Sequence, residues 1–510
     1  MLKKIKSLSL TLLFVTAFSA VEAQISSDAL LLSEHAHFTT ARSLGVGGAM
    51  GALGGDMSSM FNNPAGIGIY RSSEFQISPG LQFSGIRSTF VSDTLLPLAV
   101  NNRTGIYFGS VGFVYSEELT GDWKNVNFGI SYSRLASFNR SFSFSGTSTG
   151  SRIVNFTEEA NNSNALPENL DPFEENLAWN AYLIDNPGGG TSYIGSATDS
   201  NYIKKSQLFR QSGGINELGI CLAGNYKNKL YIGGTLGVAF MKQRELKEYE
   251  ENELSGNMDF KSMRFREDRN ISGVGINFKF GLIYRISKQL RMGLAIHSPT
   301  AFGLNETYDT QLSGAVIWND TLRTTTAENP QASPTGKYEH NFYSPWLFNF
   351  NLGIVLGDKD AKTKGFISIE GEYLDYSSAS FSLKASDLGA TIADQDYINN
   401  VNSAISETYQ GVARAKIGAE LAMDKIRLRA GYRLQTNPYQ KSVKGVNDFR
   451  NDISLGFGIR NDDFFVDLAY NFTIAGFEYS PYYATSATNN PRTVNELNAG
   501  VFLLSFGVRF

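Results

Sequence analysis

The stretch KIRLRAGYRL puts Arg427, Arg429 and Arg433 on one side of an alternating run and Ile426, Leu428, Ala430, Tyr432 and Leu434 on the other. A guanidinium receives a carboxylate through paired hydrogen bonds, so arginines that share a face have two uses. They can brace the protein by pairing with its own acids, or one can stay free for the acidic head of a ligand. The counter-charges for bracing are present: Glu370 and Glu372 share a face in one run, and Arg414, Lys416 and Glu420 in the next. Both readings stand, with Arg427 and Arg429 as the candidates for meeting an acid.

Other chemistry is sparse. Of four histidines, His35 and His37 form a His-x-His pair that could contribute to a metal or haem site. With no third ligand near in sequence they read better as a polar tether. His297 and His340 fall near the outer ends of strands as ordinary polar residues. There is no Gly-x-Ser-x-Gly, His-Glu-x-x-His or Cys/His dyad, so no catalytic residue, metal or cofactor is expected. Gly45 and Gly47 begin a dinucleotide fingerprint, but Met50 stands where its third glycine belongs, and no Gly-Lys-Ser/Thr follows.

What would position the charges is a sheet. Phe502, Leu504, Phe506, Val508 and Phe510 alternate with Val501, Leu503, Ser505, Gly507 and Arg509, and Ile276 to Tyr284 repeats the pattern. About fourteen runs are long enough to cross a membrane at a barrel tilt: 73–90, 103–117, 123–146, 213–226, 229–248, 270–286, 289–306, 340–357, 363–381, 411–423, 425–437, 450–460, 462–480 and 494–510. Every second connection is short, and the others are long, above all 147–212, 307–339 and 382–410. An even strand count with both termini on the short-turn side is the organisation of an outer-membrane barrel. The fold expected is therefore all-β, a transmembrane antiparallel barrel over residues 73–510. A lipid-facing arginine at mid-bilayer costs roughly 2 to 4 kcal/mol, so Arg427, Arg429 and Arg433 must face the lumen.

The first residues agree. A basic start, the apolar run Ser7 to Ala20 and the small residues before Gln24 read as a signal peptide over 1–23. One cysteine excludes a disulfide framework, and a mildly acidic chain argues against nucleic acid as a partner. The 36 Phe, 24 Tyr and 50 Gly against 13 Pro fit long aromatic strands joined by flexible turns. A final strand ending in Phe510 resembles the signal that outer-membrane barrels present to their assembly machinery.

Before the first strand lies ALGGDMSSMFNNPAGI, from Ala52 to Ile67. Gly47, Gly51 and Gly55 recur every fourth residue, a spacing that would put small residues on one helical face for close packing. Asp56 can cap a short helix whose Met57, Met60 and Phe61 form an apolar face, and Asn62, Asn63 and Pro64 would end it. Together with Ala65 and Gly66, this segment from Ala41 to Ile67 resembles the FadL type of outer-membrane transporters, which carry long-chain fatty acids or aromatic hydrocarbons. The stretch LRMGLAIHSPTAFGLNETY (Leu290 to Tyr308) and the layout of the whole chain resemble the same family.

The resemblance implies a hatch over residues 24–72 folded inside the barrel. It also implies passive uptake of a hydrophobic small molecule across the outer membrane of a Gram-negative bacterium, with outer-membrane lipid around the wall. Leu53, Met57, Met60 and Phe61 are then the candidates for lining the ligand site. In the loop DPFEENLAWNAYLI, Phe173, Leu177 and Ala181 recur at helical spacing. Such a helix could catch a hydrophobic molecule, as access-groove loops do in the FadL type, or pack as a lid. The alternative function is a FadL-like barrel serving a secretion system or envelope assembly.

Overall fold

A strand with one apolar and one polar face shows by its orientation which solvent it meets. Here Leu236, Phe240, Ile276, Phe278, Phe348, Phe350, Ile369, Ile417 and Leu455 stand exposed on the outside. Glu370, Glu372, Arg414, Lys416, Arg429, Arg433, Asp452 and Asp467 are buried. Apolar outward and charged inward is the arrangement of a sheet wrapped in lipid.

The computed structural model describes residues 27–34, 39–91, 99–254, 256, 258–357, 362–384, 392–441, 447–485 and 490–510. The expected signal peptide and the pair His35 and His37 lie outside them. The wall begins with β1 (Glu74–Val91), β2 (Ala99–Glu118) and β3 (Trp123–Ser137), which β4 (Arg140–Thr149) continues. It passes through β5 (Tyr202–Tyr226), β6 (Leu230–Glu253) and β7 (Phe260–Arg285). β8 (Leu290–His297) and β9 (Ala301–Trp318) form one stave, as do β10 (Gly336–Tyr343) with β11 (Leu347–Leu356), and β12 (Thr363–Asp375) with β13 (Ser380–Leu383). β14 (Gly411–Met423), β15 (Ile426–Thr436), β16 (Phe449–Arg460), β17 (Phe464–Tyr479) and β18 (Arg492–Arg509) complete an antiparallel barrel of fourteen staves. It is closed by β18 on β1, with Glu74 opposite Arg509 and Val91 opposite Arg492. The rim of α2 (Arg152–Ser163), α3 (Glu175–Asn180) and α4 (Ile392–Thr408) is the long-loop rim. At the other rim the turns are tight, as where Lys227 and Asn228 both take positive φ between β5 and β6.

Several strands run beyond the expected limits. β5 starts at Tyr202, β7 at Phe260, and β9 reaches Trp318. Past the membrane the outward residues become polar, as Lys242 and Arg244 follow Phe240, so apolar alternation fades while backbone pairing continues. Four staves are also interrupted, at 138–139, at 298–300, at 344–346 and by a 3-10 turn at Tyr376–Ser378. Pro299 and Pro345 lack the N–H that a ladder needs. Side chains close the gap: Thr300 N donates to Ser344 Oγ at 2.9 Å, and Phe278 N to Ser298 Oγ at 2.9 Å.

Residues 39–72 add no strand and are mostly buried. In α1 (Ala41–Gly45) the Thr40 side chain accepts from Ser43 N. Asp56 caps the 3-10 turn Met57–Met60 by accepting from Ser58 N, and Asn63 caps Pro64–Ile69 by accepting from Ala65 N. Pro64 therefore opens a turn and does not only close one, because the first helical position needs no N–H. The glycine spacing is also corrected. Gly47, Gly51 and Gly55 do not share a helical face, since α1 stops at Gly45 and Gly47 and Gly55 take φ of +65° and +63°. Gly47 also lies against the backbone of Gly431 and Tyr432. Gly47→Ala should then cost about 1–2 kcal/mol for its left-handed backbone alone. Gly371→Ala, on the outer wall with open space around it, should stay within about 0.5 kcal/mol of the parent. Urea unfolding of the two purified variants measures the contrast.

Candidate functional site

Side chains from around the barrel hold the segment 39–72 inside it. Ser110 Oγ donates to Thr39 O at 2.8 Å, and Ala41 N donates to Ser505 Oγ at 2.8 Å. Asn127 Nδ2 donates to Ile67 O at 2.6 Å. Asn63 Nδ2 reaches Gly51 O at 2.6 Å, and Asn349 Nδ2 donates to Asn62 Oδ1 at 2.6 Å. Glu370 accepts from Gly51 N at 3.0 Å and from Asn62 Nδ2 at 3.2 Å. His297 is corrected too: it is 4% exposed, turned inward, with Nε2 at 2.9 Å from Asn62 O. Strand parity could have placed it, since Leu294 and Ile296 face lipid.

A single apolar cluster runs through this polar interior. At its base are Met57, Met60, Phe61 and Ile67; above them come Leu135, Phe138, Ile215, Met241 and Phe302, and then Phe342, Tyr376 and Phe381. Ile398, Val401 and Ile405 of α4 cap it. Phe342 lies 4.9 Å from Phe381 and 6.5 Å from Phe302, centroid to centroid. Ala29, Leu31 and Leu32, from the helical residues 27–32, pack into the same cluster. The ion pairs Asp28 with Arg269 at 2.5 Å and Glu34 with Arg450 at 2.6 Å fasten their ends. The upper part of the cluster was missed in the sequence. Its signal was the spacing of Ile398, Val401 and Ile405 at i, i+3 and i+7 in the loop 382–410.

The ligand candidates separate. Met57, Met60 and Phe61 share the cluster, while Leu53 packs apart with Val46, Met50 and Phe366. Arg427 sits at a turn, where Nη1 donates to Asp424 O at 2.6 Å and to Ile426 O at 2.9 Å. Arg429 is held between Glu420 at 2.6 Å and Asp467 at 2.7 Å. Lys416 pairs with Glu370 at 2.7 Å and with Glu372 at 2.6 Å, and Arg433 with Asp452 at 2.7 Å. On this wall the charges brace one another.

Over the long-loop rim, α2 and α3 close a second apolar core with Phe156, Leu177, Ala178, Ala181 and Leu183. α3 spans only Glu175–Asn180, and Phe173, outside it, packs tilted against Tyr308 with ring centroids 5.5 Å apart. Its apolar face is buried in the protein, which is lid packing. Arg152 lies 4.2 Å over the Phe265 ring and pairs with Glu174 at 3.3 Å. Burial pushes the Glu174 carboxyl up to about 7, against the pull of Arg152.

No family model matches the sequence, and no curated protein matches it. Among solved structures, a FadL homologue from Pseudomonas aeruginosa matches with a TM-score of 0.54 at 12% identity, covering 94% of this chain and 100% of that one. The toluene transporter TbuX of Ralstonia pickettii matches with a TM-score of 0.49 at 14% identity, over 92% and 98% of the two chains. The Pseudomonas putida toluene transporter TodX matches with a TM-score of 0.47 at 12% identity, over 94% and 100%. The fold is that of the FadL-type barrel.

Proposed function

We propose that the chain is an outer-membrane channel through which a hydrophobic small molecule passes down its gradient, with residues 24–72 as the hatch. The observation that carries this reading is the apolar cluster from α4 to Met57, Met60 and Phe61. A wall lined with Asn, Ser and paired charges has no need of an aromatic column through its centre. A molecule poorly soluble in water does need one, because each methylene it buries is worth about 0.8 kcal/mol. Phe61 stands at the junction of column and hatch, with Lys279 Nζ 6.0 Å from its ring centroid.

Titrating the purified chain with a fatty-acid series and one aromatic hydrocarbon tests the reading. Affinity should rise about fourfold per methylene until the site is full, and Phe61→Ala should weaken both classes. Binding that ignores chain length would return the chain to the assembly-protein alternative.

A further inference from the structure

Where the sheet leaves the lipid, its outward face carries charge in a set order. The apolar band ends on β6 at Phe240 and on β7 at Val274, both exposed, and the Tyr132 ring lies 6.5 Å from that of Phe240, centroid to centroid. Exposed aromatic rings of this kind stand at the level of the lipid head groups. Toward the long-loop rim, Lys242 follows one side-chain step above Phe240, and Arg244 one step above Lys242. On β5, Ser212 lies opposite Arg244 and Arg210 opposite Leu246, which makes Arg210 and Arg244 diagonal neighbours. All three cations are exposed.

Their surroundings are short of acid. On β5, β6, β7 and β9, among the described residues, no outward carboxylate stands nearer the apolar band than the facing pair Asp268 and Asp309. Arg244 reaches Asp268 at 3.0 Å, but among the described residues neither Arg210 nor Lys242 makes an ion pair or a side-chain hydrogen bond. Higher on the same face the charges balance, with Arg264 and Arg266 at 3.1 Å and 3.4 Å from Glu248. Neutral donors lie between the cations: Ser272 is opposite Lys242, and Ser212 and Asn270 flank Arg244. A polar groove of about 310 Å³ opens beside them, lined by Arg244, Arg266, Asp268, Asn270, Asp309 and Gln311.

We infer that Arg210, Lys242 and Arg244 form a docking surface for a membrane lipid whose head group bears a phosphate monoester, with its acyl chains on the apolar wall beneath, at Phe240, Val274 and Ile276. Acyl chains that cover this wall bring their head groups to the height of the three cations, and two of those cations have no counter-charge in the protein. A multiply charged, oxygen-rich group suits both that charge and the hydroxyl and amide donors around it. The surface is on the outside of the barrel and is independent of what passes through the lumen.

Dioleoyl phosphatidate and dioleoylglycerol, equal in acyl chains and differing in the phosphate, are offered to the full chain in micelles of an uncharged detergent, and native mass spectrometry counts what each barrel retains. The wild type should hold phosphatidate more tightly and lose part of that preference as salt rises. Arg210→Gln, Lys242→Gln and Arg244→Gln combined should weaken phosphatidate by about fivefold for each cation removed and leave dioleoylglycerol unchanged. Should the triple variant fail to insert, Arg210→Gln with Lys242→Gln breaks no described ion pair and is expected to show the same selective loss. The control pair Arg264→Gln, Arg266→Gln, higher on the same face, should leave phosphatidate binding unchanged. A wild type indifferent to the phosphate, a loss shared by both lipids, or a control variant that loses as much overturns the docking surface. So does inorganic phosphate that displaces phosphatidate at equal concentration, since the surface would then take a free anion and not a lipid.

Discussion

Replacing Lys416 by methionine is expected to destabilise the barrel by about 3–5 kcal/mol, the usual cost of removing one partner from a buried ion pair. The ammonium lies between Glu370 and Glu372, and all three side chains are fully buried. Without it Glu372 keeps Arg414 at 3.5 Å, but among the described residues Glu370 keeps only neutral donors: Gly51 N, Asn62 and Asn349. The effect should therefore spread to the segment 39–72, two of whose residues share that carboxylate. Adding Glu370→Gln to Lys416→Met removes the stranded charge and should recover most of the loss. Urea unfolding, read by tryptophan fluorescence and by heat-dependent gel mobility, gives both values. A Lys416→Met change of under about 1 kcal/mol, the size of a surface pair, would mean that water reaches this cluster.

Deleting residues 24–72 should leave a barrel that inserts and closes but carries ions. The closing pair of β1 and β18 starts at Glu74, so the deletion takes no rung from the sheet. It removes the segment that Ser110, Asn127, Asn349, Glu370 and Ser505 hold across the lumen. Planar-bilayer recordings should pass from a quiet baseline to discrete open-channel steps. A deletion variant as quiet as its parent would show that these residues do not occlude the path.

Much of the barrel was readable because lipid imposes a rule with few exceptions. Arg429 and Arg433 are buried and Leu428 and Tyr432 are exposed, as alternation requires. Alternation reports the face of a residue but not its depth, and so it offered Arg427, which lies at the rim among turn carbonyls. It is also blind where the chain leaves it. The spacing of Gly47, Gly51 and Gly55 looks helical, but two of them are left-handed turns. Arg140 follows the break at 138–139, beyond which the count along β3 no longer fixes the face. The column was hidden for a different reason: its residues come from about a dozen separated segments, several of which contribute only one or two apolar side chains among polar neighbours.

The seam between β1 and β18 makes the wall hard to assemble halfway. Phe510 N donates to Ser73 O at 3.1 Å, Ser73 N to Phe510 O at 3.0 Å, and Arg509 pairs with Glu74 at 3.0 Å. These groups lie at opposite ends of the sheet's sequence, so joining them closes a loop around every other stave. Loop entropy grows only with the logarithm of length and amounts to roughly 5 kcal/mol here. The ladder from Glu74 to Val91 offsets it in one step. Until that step the nascent sheet has two raw edges, whose unpaired amides and carbonyls are costly in hydrocarbon and can template on another chain. Any slowing of closure should therefore appear as aggregation of nearly complete chains rather than as a population of loosened barrels.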